Sequence, residues 1–203
     1  MNKYLLSAVL IVFAGITIYT TMQTEFDESG QLDVVFYNVE NLFDTENDPL
    51  TFDDAFTPDS TKHWTKERYQ KKLADLVKVI SKVPKSGLPE AIGLCEVENR
   101  KVVEDLIRTD TLQKRKYLVI HEESPDKRGI DVAFIYDELV MKELHHEAIR
   151  YGFSFEPETT TRDILYAKML AKKDTLHFFI NHWSSRRGGM EKSEPKRMKA
   201  ATV

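Results

Sequence analysis

Two apolar segments of this chain end in side chains that are able to bind a metal ion. One leads into Asn38 in the sequence YNVEN, and another leads into Glu96 in the sequence CEVEN. If both segments are parallel strands, their carboxyl ends meet at one edge of a sheet, where open α/β sheets bind ligands. A carboxylate and an amide at that edge suit a hard cation such as Mg²⁺. The same residue types also cap loops and helices, so capping is the competing interpretation.

A third apolar segment ends in Asn181 and His182, and a basic loop follows it. His is the side chain best suited to titrate near neutral pH, although a histidine at a strand end also serves as a structural residue. Arg186 and Arg187 stand beside two glycines, a combination that favours phosphate binding through guanidinium groups and backbone amides. Residues 186–199 carry six Lys and Arg against two Glu. This segment is therefore either a phosphate site or a solvent-exposed basic surface.

Charged side chains also open two further apolar segments. Arg162 precedes one of them, where it either faces an anion or pairs with the neighbouring Asp163. Arg128 and Asp131 stand at the start of the other, in the sequence KRGIDVAFIYD. An Asp within an apolar run has to be paired, exposed or functional, because burying an unpaired carboxylate costs too much free energy. The polar stretch 141–151, which contains two adjacent histidines, predicts exposed surface.

The order of the apolar and amphipathic segments predicts a mixed α/β fold with about six strands and two or three helices. Residues 66–83 carry apolar side chains at spacings of three and four, which predicts a helix between strands at 32–39 and 91–96. That order implies a parallel pair with a right-handed crossover. The short link 172–175 predicts an antiparallel hairpin. The other predicted strands span residues 117–121, 130–136, 164–171 and 176–181, and a second helix spans 99–108.

The composition excludes several classes of protein. The chain has 203 residues, with 29 Lys and Arg against 33 Asp and Glu, so its net charge is −4. This balance argues against coating nucleic acid through bulk charge, but it allows an enzyme that binds phosphate through a metal. The single Cys excludes internal disulfides and a cysteine-built zinc site. Neither GxxxxGK[ST] nor GxSxG occurs, so a P-loop nucleotidase and a serine hydrolase lose support.

The amino-terminal residues predict export. Residues 1–22 combine an early Lys with an uncharged segment at 5–18, which is typical of a signal peptide or an N-terminal membrane anchor. The polar residues 23–31 predict a linker. We expect an exported protein that is periplasmic, held in the cell envelope or secreted, with or without anchoring through residues 5–22. No protein partner is inferred.

Taken in order, five segments resemble the endonuclease/exonuclease/phosphatase superfamily, the fold of pancreatic-type DNase, and look most like its exported bacterial branch. They are FYNVENLFD, GLCEVEN, KRGIDVAFIYD, TTRDIL and FFINHWSSRRGG. The resemblance implies the N-terminal portion of a four-layer αββα sandwich over residues 32–203. It also implies a metal-dependent phosphoesterase that uses Mg²⁺ or Mn²⁺. Nucleic acid is the first choice of phosphodiester substrate, and a phospholipid or an inositol phosphate is the second.

The resemblance also implies roles for individual residues. Glu96 and Asn38 are expected at the metal, and His182, Asn38 and Arg162 are expected to act at the scissile phosphate. The expected substrate contacts are Arg162, Arg128, Asp131, Asn181, Arg186 and Arg187.

The family pattern continues with G-D-x-N and with S-D-H, whose Asp–His pair supplies the base that activates water. Neither motif occurs in these 203 residues, and the last residues, KRMKAATV, are typical of the start of a helix. The expectation is therefore an incomplete domain whose reading frame continues to both motifs. The alternative is an inactive membrane-tethered fragment or a binding module.

Overall fold

A computed structural model describes residues 31–84 and 87–203. The predicted signal peptide or anchor at 1–22, and nearly all of the predicted linker at 23–31, lie outside the described residues. Residues 33–203 form one compact unit. Over the part of the chain that the structure describes, no helix has both the length and the apolar character that crossing a membrane requires.

The first sheet contains β1 (Val34–Leu42), β2 (Ala91–Val97), β3 (Tyr117–His121) and β4 (Asp131–Asp137) in the order β1-β2-β4-β3. β1 and β2 are parallel, as the sequence predicts, and the other two pairs are antiparallel. The central strands β2 and β4 are buried almost throughout. Their continuous apolar sequences fit that position, because strands covered on both faces have no polar side to alternate with.

Two helices cover one face of this sheet. In α1 (Lys66–Ile80) the buried residues Tyr69, Leu73, Leu76, Val77 and Ile80 form the predicted apolar stripe. The helix begins at a cap, where the Thr65 side chain accepts a hydrogen bond from the Arg68 backbone N–H. The shorter α2 (Arg100–Ile107) is capped in the same way by Asn99. Both helices join one hydrophobic cluster with side chains of β1, β2 and β4.

The second sheet contains β5 (Met141–Ile149), β6 (Ile164–Ala171) and β7 (Asp174–Ile180), all antiparallel and in that order. The hairpin of β6 and β7 is the predicted one. β5 is a seventh strand within the stretch expected to be exposed surface. It lies at the edge of its sheet, and a bulge between Glu143 and His145 interrupts the alternation of buried and exposed residues. That alternation is the signal from which a strand is predicted.

The two sheets pack face to face. The rings of Phe134 of β4 and Phe178 of β7 are in contact, with their centroids 4.6 Å apart and their planes tilted by 34°. Gly93 of β2 leaves room for the Phe36 ring of the neighbouring β1, because a Cβ at that position would lie 2.9 Å from that ring. A further helix, α3 (Met190–Ala201), packs through Ala200 against Ile164 of the second sheet. The layers therefore follow the order helix, sheet, sheet, helix, which is the order of an αββα sandwich.

Candidate active site

The backbone departs from regular geometry where β1 and β2 end side by side. The register of the pair shifts after Asn38, which lies opposite Cys95. Glu96 then has a φ of 66°, and Glu40 and Asn41 have φ values of 53° and 63°. Left-handed conformations cost non-glycine residues about 1–3 kcal/mol each, and they concentrate at functional sites. Three of them at the ends of adjacent strands therefore mark this edge of the sheet as a site.

Three of the predicted residues meet at this edge. Oε1 of Glu96 accepts a hydrogen bond from Nδ2 of Asn38 at 3.0 Å and lies 3.2 Å from Nε2 of His182. The Asn38 amide oxygen accepts the backbone N–H of Glu40 at 2.8 Å. That contact determines which end of the amide faces Glu96, so Asn38 orients the carboxylate. The cluster of Asn38, Glu96 and His182 is named the strand-end cluster below.

His182 is uncharged at neutral pH in this environment. Burial, together with the positive charge of Arg162, lowers its pKa to about 4, although the nearby Glu96 carboxylate opposes the shift. A neutral imidazole carries one N–H, and an N–H on Nε2 donates to Glu96. Nδ1 is buried without a hydrogen-bond partner among the described residues. The ring can therefore act as a hydrogen-bond donor on one side and as a proton acceptor on the other.

Arg162 is buried and holds His182 through its backbone. Its Nε and Nη2 groups donate to the His182 carbonyl oxygen at 3.0 and 2.6 Å, and Nη1 donates to Oδ2 of Asp126 at 2.8 Å. Pairing with Asp163, which the sequence left open, does not occur, because Asp163 pairs with Arg150 at 3.1 Å. Arg162 is thus a positioning residue that links the strand-end cluster to the loop containing Asp126.

Asp126 is a member of the site that the sequence analysis did not identify. It accepts hydrogen bonds from Arg162 and from both the backbone and the side chain of Arg128. Burial opposes ionisation of this carboxyl group, but the hydrogen bonds from Arg128 and Arg162 outweigh it and lower its pKa. Asp126 lies in a turn-forming sequence, SPDKRG, so its residue type is explained by the turn and gives no separate signal of function.

A cleft of about 780 Å³ opens beside Glu96 and His182. Its cationic lining residues outnumber the acidic ones, which suits an anionic ligand in a chain whose net charge is −4. The cationic residues are Lys127, Arg128, Arg162, Arg187, Lys192 and Lys196, and the acidic residues are Glu96, Asp126, Glu156 and Glu158. Lys192 and Lys196 come from α3, within the basic segment noted in the sequence.

The other predicted substrate residues lie in different surroundings. The Asn181 side chain donates to the Phe179 carbonyl oxygen at 2.9 Å and accepts from the Trp183 indole at 3.1 Å, so it braces the end of β7. Asp131 accepts hydrogen bonds from Ser124 and faces His121. Among the described residues that line the cleft, Asn181, Asp131 and Arg186 are absent, whereas Arg128, Arg162 and Arg187 are present.

A carboxylate oriented at a strand end, a neutral histidine beside it and a cationic cleft in a two-sheet sandwich define a site suited to binding an anion such as phosphate. Residues 33–203 match the sequence model of the endonuclease/exonuclease/phosphatase family. The chain therefore belongs to this family of phosphoester hydrolases. No curated protein sequence matches the chain.

Three solved structures are similar to this chain, and the first of them supports the same fold. The crystal structure of D. rerio TDP2, humanized by 14 mutations, is 16% identical with a TM-score of 0.50, and the match covers 85% of this chain and 57% of that one. D. rerio TDP2 complexed with a single-strand DNA product is 16% identical (TM-score 0.48; 84% and 52% covered). The human Nocturnin catalytic domain with a bound sulfate anion is 15% identical (TM-score 0.40; 56% and 44% covered). The chain thus spans little more than half the length of the TDP2 chains.

Proposed function

We propose that this chain provides the metal-binding and phosphate-binding part of a nuclease-like phosphodiester hydrolase. The observation that carries the proposal is the convergence of Asn38 and His182 on Oε1 of Glu96, at 3.0 and 3.2 Å, beside a cationic cleft. These residues are far apart in sequence and come from three strand ends. Their convergence is more than helix or loop capping requires.

The strand-end cluster fits Mg²⁺ or Mn²⁺ at Glu96. Magnesium binds proteins through one or two carboxylates and completes its octahedral shell with water and substrate phosphate oxygens. Glu96 is such a carboxylate: its side chain is 17% exposed, and Asn38 holds one of its oxygens. When bound there, the cation supplies neutralisation of phosphate charge and stabilisation of the leaving oxygen.

The protein side chains bind and orient the phosphate. Neutral His182 donates a hydrogen bond from Nε2 to a phosphate oxygen once the ligand displaces its contact with Glu96. Arg162 fixes the His182 backbone and so sets the position of that donor. Arg128 and Arg187 line the same cleft and would contact further phosphates of a bound chain, so a polymer of phosphodiesters, a nucleic acid, suits the cleft better than a single phosphate group. The G-D-x-N and S-D-H motifs are absent from these residues, so no base for water activation is assigned to this chain.

The test is Mg²⁺-dependent binding of a fluorescent single-stranded oligonucleotide, followed by anisotropy. We expect Mg²⁺ to strengthen binding to the full chain, and Glu96→Gln to lower the apparent Mg²⁺ affinity at least about tenfold. Glu147→Gln is the matched control, because it removes the same charge from an exposed position on β5 and should change affinity less than about twofold. Equal Mg²⁺ dependence in Glu96→Gln and the unmodified chain would remove Glu96 from the metal site.

We also infer export directed by residues 1–22, on the basis of their early Lys and uncharged segment. Fractionation of expressing bacteria, with N-terminal sequencing of the recovered protein, tests this inference and distinguishes cleavage from retention of an anchor. Recovery of an uncleaved chain only from the cytoplasmic fraction would contradict it.

A further inference from the structure

A second group of metal-binding side chains flanks the loop between β3 and β4. His121 is the last residue of β3, Asp131 is the first of β4, and Glu123 lies between them. Each contributes one potential ligand atom, and these atoms lie within 4.8 Å of one another. Nε2 of His121 is 3.5 Å from Oδ2 of Asp131, and Nδ1 of His121 is 3.9 Å from Oε1 of Glu123. This group is named the loop-base cluster below.

Two polar atoms of the loop-base cluster are buried and unpaired. Within residues 31–84 and 87–203, Nε2 of His121 and Oδ2 of Asp131 have no hydrogen-bond partner. Both side chains are only 2% exposed, and the two atoms face each other across 3.5 Å, which is longer than a normal hydrogen bond. Buried polar atoms almost always have hydrogen-bond or metal partners in folded proteins, so these two unpaired atoms indicate a partner from outside the chain.

Neighbouring groups hold the Asp131 carboxylate in place for such a partner. Its other oxygen, Oδ1, accepts the backbone N–H of Ser124 at 3.0 Å and also the Ser124 hydroxyl. Both contacts turn Oδ2 towards His121. Metal sites in proteins commonly use outer hydrogen bonds of this kind to orient the ligating side chains.

The Glu123 carboxylate completes the group from the solvent side. Its side chain is 71% exposed, so it can rotate towards a bound ion without disturbing the packing. Two carboxylates that repel each other beside an imidazole lose that repulsion when a cation lies between them.

We propose that His121, Glu123 and Asp131 bind a divalent transition-metal cation, and that Zn²⁺ is the ion the site suits best. Imidazole favours Zn²⁺ over Mg²⁺ or Ca²⁺, and the carboxylates complete a common zinc donor set. Tetrahedral zinc with bonds of about 2.0–2.1 Å separates its ligand atoms by about 3.3 Å. That separation is close to the observed 3.5 Å between Nε2 and Oδ2. Three protein ligands leave the fourth position for water.

The consequence of zinc binding is structural. His121 and Asp131 bracket the loop 122–130, and the middle of this loop presents Asp126 and Arg128 to the cleft. The described lining of the cleft includes none of the three zinc ligands. A bound ion would therefore join the two ends of the loop without occupying the cleft. This inference is independent of the proposed phosphodiesterase function.

The first experiment is zinc titration of the full 203-residue chain by calorimetry, with bound metal counted after dialysis. We expect zinc binding in the unmodified chain and in Glu96→Gln, which separates this site from the strand-end cluster. Glu123→Gln should weaken zinc binding at least about tenfold. The matched control, Glu138→Gln, changes the same charge at an exposed position after β4 and should have less than about a twofold effect.

Two further results decide the matter. Asp131→Asn keeps the shape of the side chain and should also lose zinc, and Glu123→Gln alone is decisive if Asp131→Asn does not fold. Zinc should slow tryptic cleavage after Lys127 and Arg128 in the unmodified chain but not in Glu123→Gln. Unchanged zinc affinity in Glu123→Gln, or no zinc binding at all, overturns the proposal. Loss of zinc in Glu122→Gln instead would assign the ion to His146, which Glu122 contacts at 3.1 Å, and would overturn it equally.

Discussion

The strand-end cluster and the loop-base cluster each combine a histidine with at least one buried or half-buried carboxylate, yet the partners of those groups differ. In the strand-end cluster, Glu96 already has Asn38 and His182 as partners, and the neighbouring Arg162 has Asp126, although Nδ1 of His182 has no partner among the described residues. In the loop-base cluster, His121 and Asp131 face each other with two atoms unpaired. The side chains of the first are held mainly by contacts within the protein, whereas two facing atoms of the second have no protein partner. We therefore expect mutation around the first to lower stability as well as metal binding, and mutation in the second to lower mainly ion binding.

Arg162→Ala should lower the free energy of unfolding more than any other change considered for the two clusters. It removes the hydrogen bonds to the His182 backbone and leaves Asp126 with Arg128 as its remaining cationic partner. Breaking a buried ion pair costs about 3–5 kcal/mol, so urea unfolding should show a loss of that order.

Lys71→Ala, which removes an exposed pair with Asp75, should cost less than about 1 kcal/mol. In metal-free protein, Glu123→Gln should cost no more than about 0.5 kcal/mol. Comparable losses in Arg162→Ala and Glu123→Gln would contradict the distinction between the clusters.

Lowering the pH should weaken the strand-end cluster through His182. The pKa of this histidine is about 4 in the folded protein against an ordinary value of 6.5. Between these values the unfolded chain binds the proton more readily, so stability should fall as the pH decreases from 6.5 to 4. The loss amounts to about 3 kcal/mol at most, and it should be smaller in His182→Asn than in the unmodified chain. Unfolding curves measured across this range are the test, and identical pH slopes would contradict the prediction.

His146 provides a control of opposite sign for that experiment. The protonated ring donates hydrogen bonds to Glu143 and to Glu122, and these bonds raise its pKa above the ordinary value despite some burial. Its contribution to stability is therefore complete below pH 6.5 and is lost as the pH rises through the folded-state pKa. His146→Gln should change the slope on the alkaline side of 6.5 and leave the acidic side as it is.

The smallest expected effects concern the residues that orient each carboxylate. Asn38→Ala should lower Mg²⁺ affinity about 10- to 100-fold, because Glu96 loses the side chain that positions it. Ser124→Ala should lower zinc affinity less than about tenfold, because the backbone N–H of residue 124 still holds Asp131. Titration of each metal into both variants checks the pair. An equal or larger effect of Ser124→Ala would show that the hydroxyl, and not the backbone, orients Asp131.

The parts of the fold and site that could be predicted are those that local sequence patterns determine. The apolar runs before Asn38, Glu96 and His182 mark strand ends, and parallel pairing of β1 and β2 brings the first two together. Asp126 was not identified, and Lys192 and Lys196 were noted only as part of a basic segment, because a turn residue and two lysines on a helix reach the cleft only when distant segments pack around it. Asp131 was expected at the substrate, and its strand start was recognised. The loop before it then directs its carboxylate towards Ser124 and His121.

β5 shows a related limit. Its sequence MKELHHEAI lies at a sheet edge with a bulge, so its inner and outer faces differ little in polarity. Backbone hydrogen bonds to β6 make this segment a strand. Such bonds do not depend on residue type, so the sequence does not predict the strand.

Gly93 has no side chain, and the structure leaves no room for one at this position. It lies three residues before Glu96 on β2 and opposite Phe36 of β1, and a Cβ at this position would lie 2.9 Å from the Phe36 ring. Even a methyl group would therefore displace that ring, two residues before Asn38. The packing of β1 against β2 beside the strand-end cluster therefore depends on the missing side chain of Gly93.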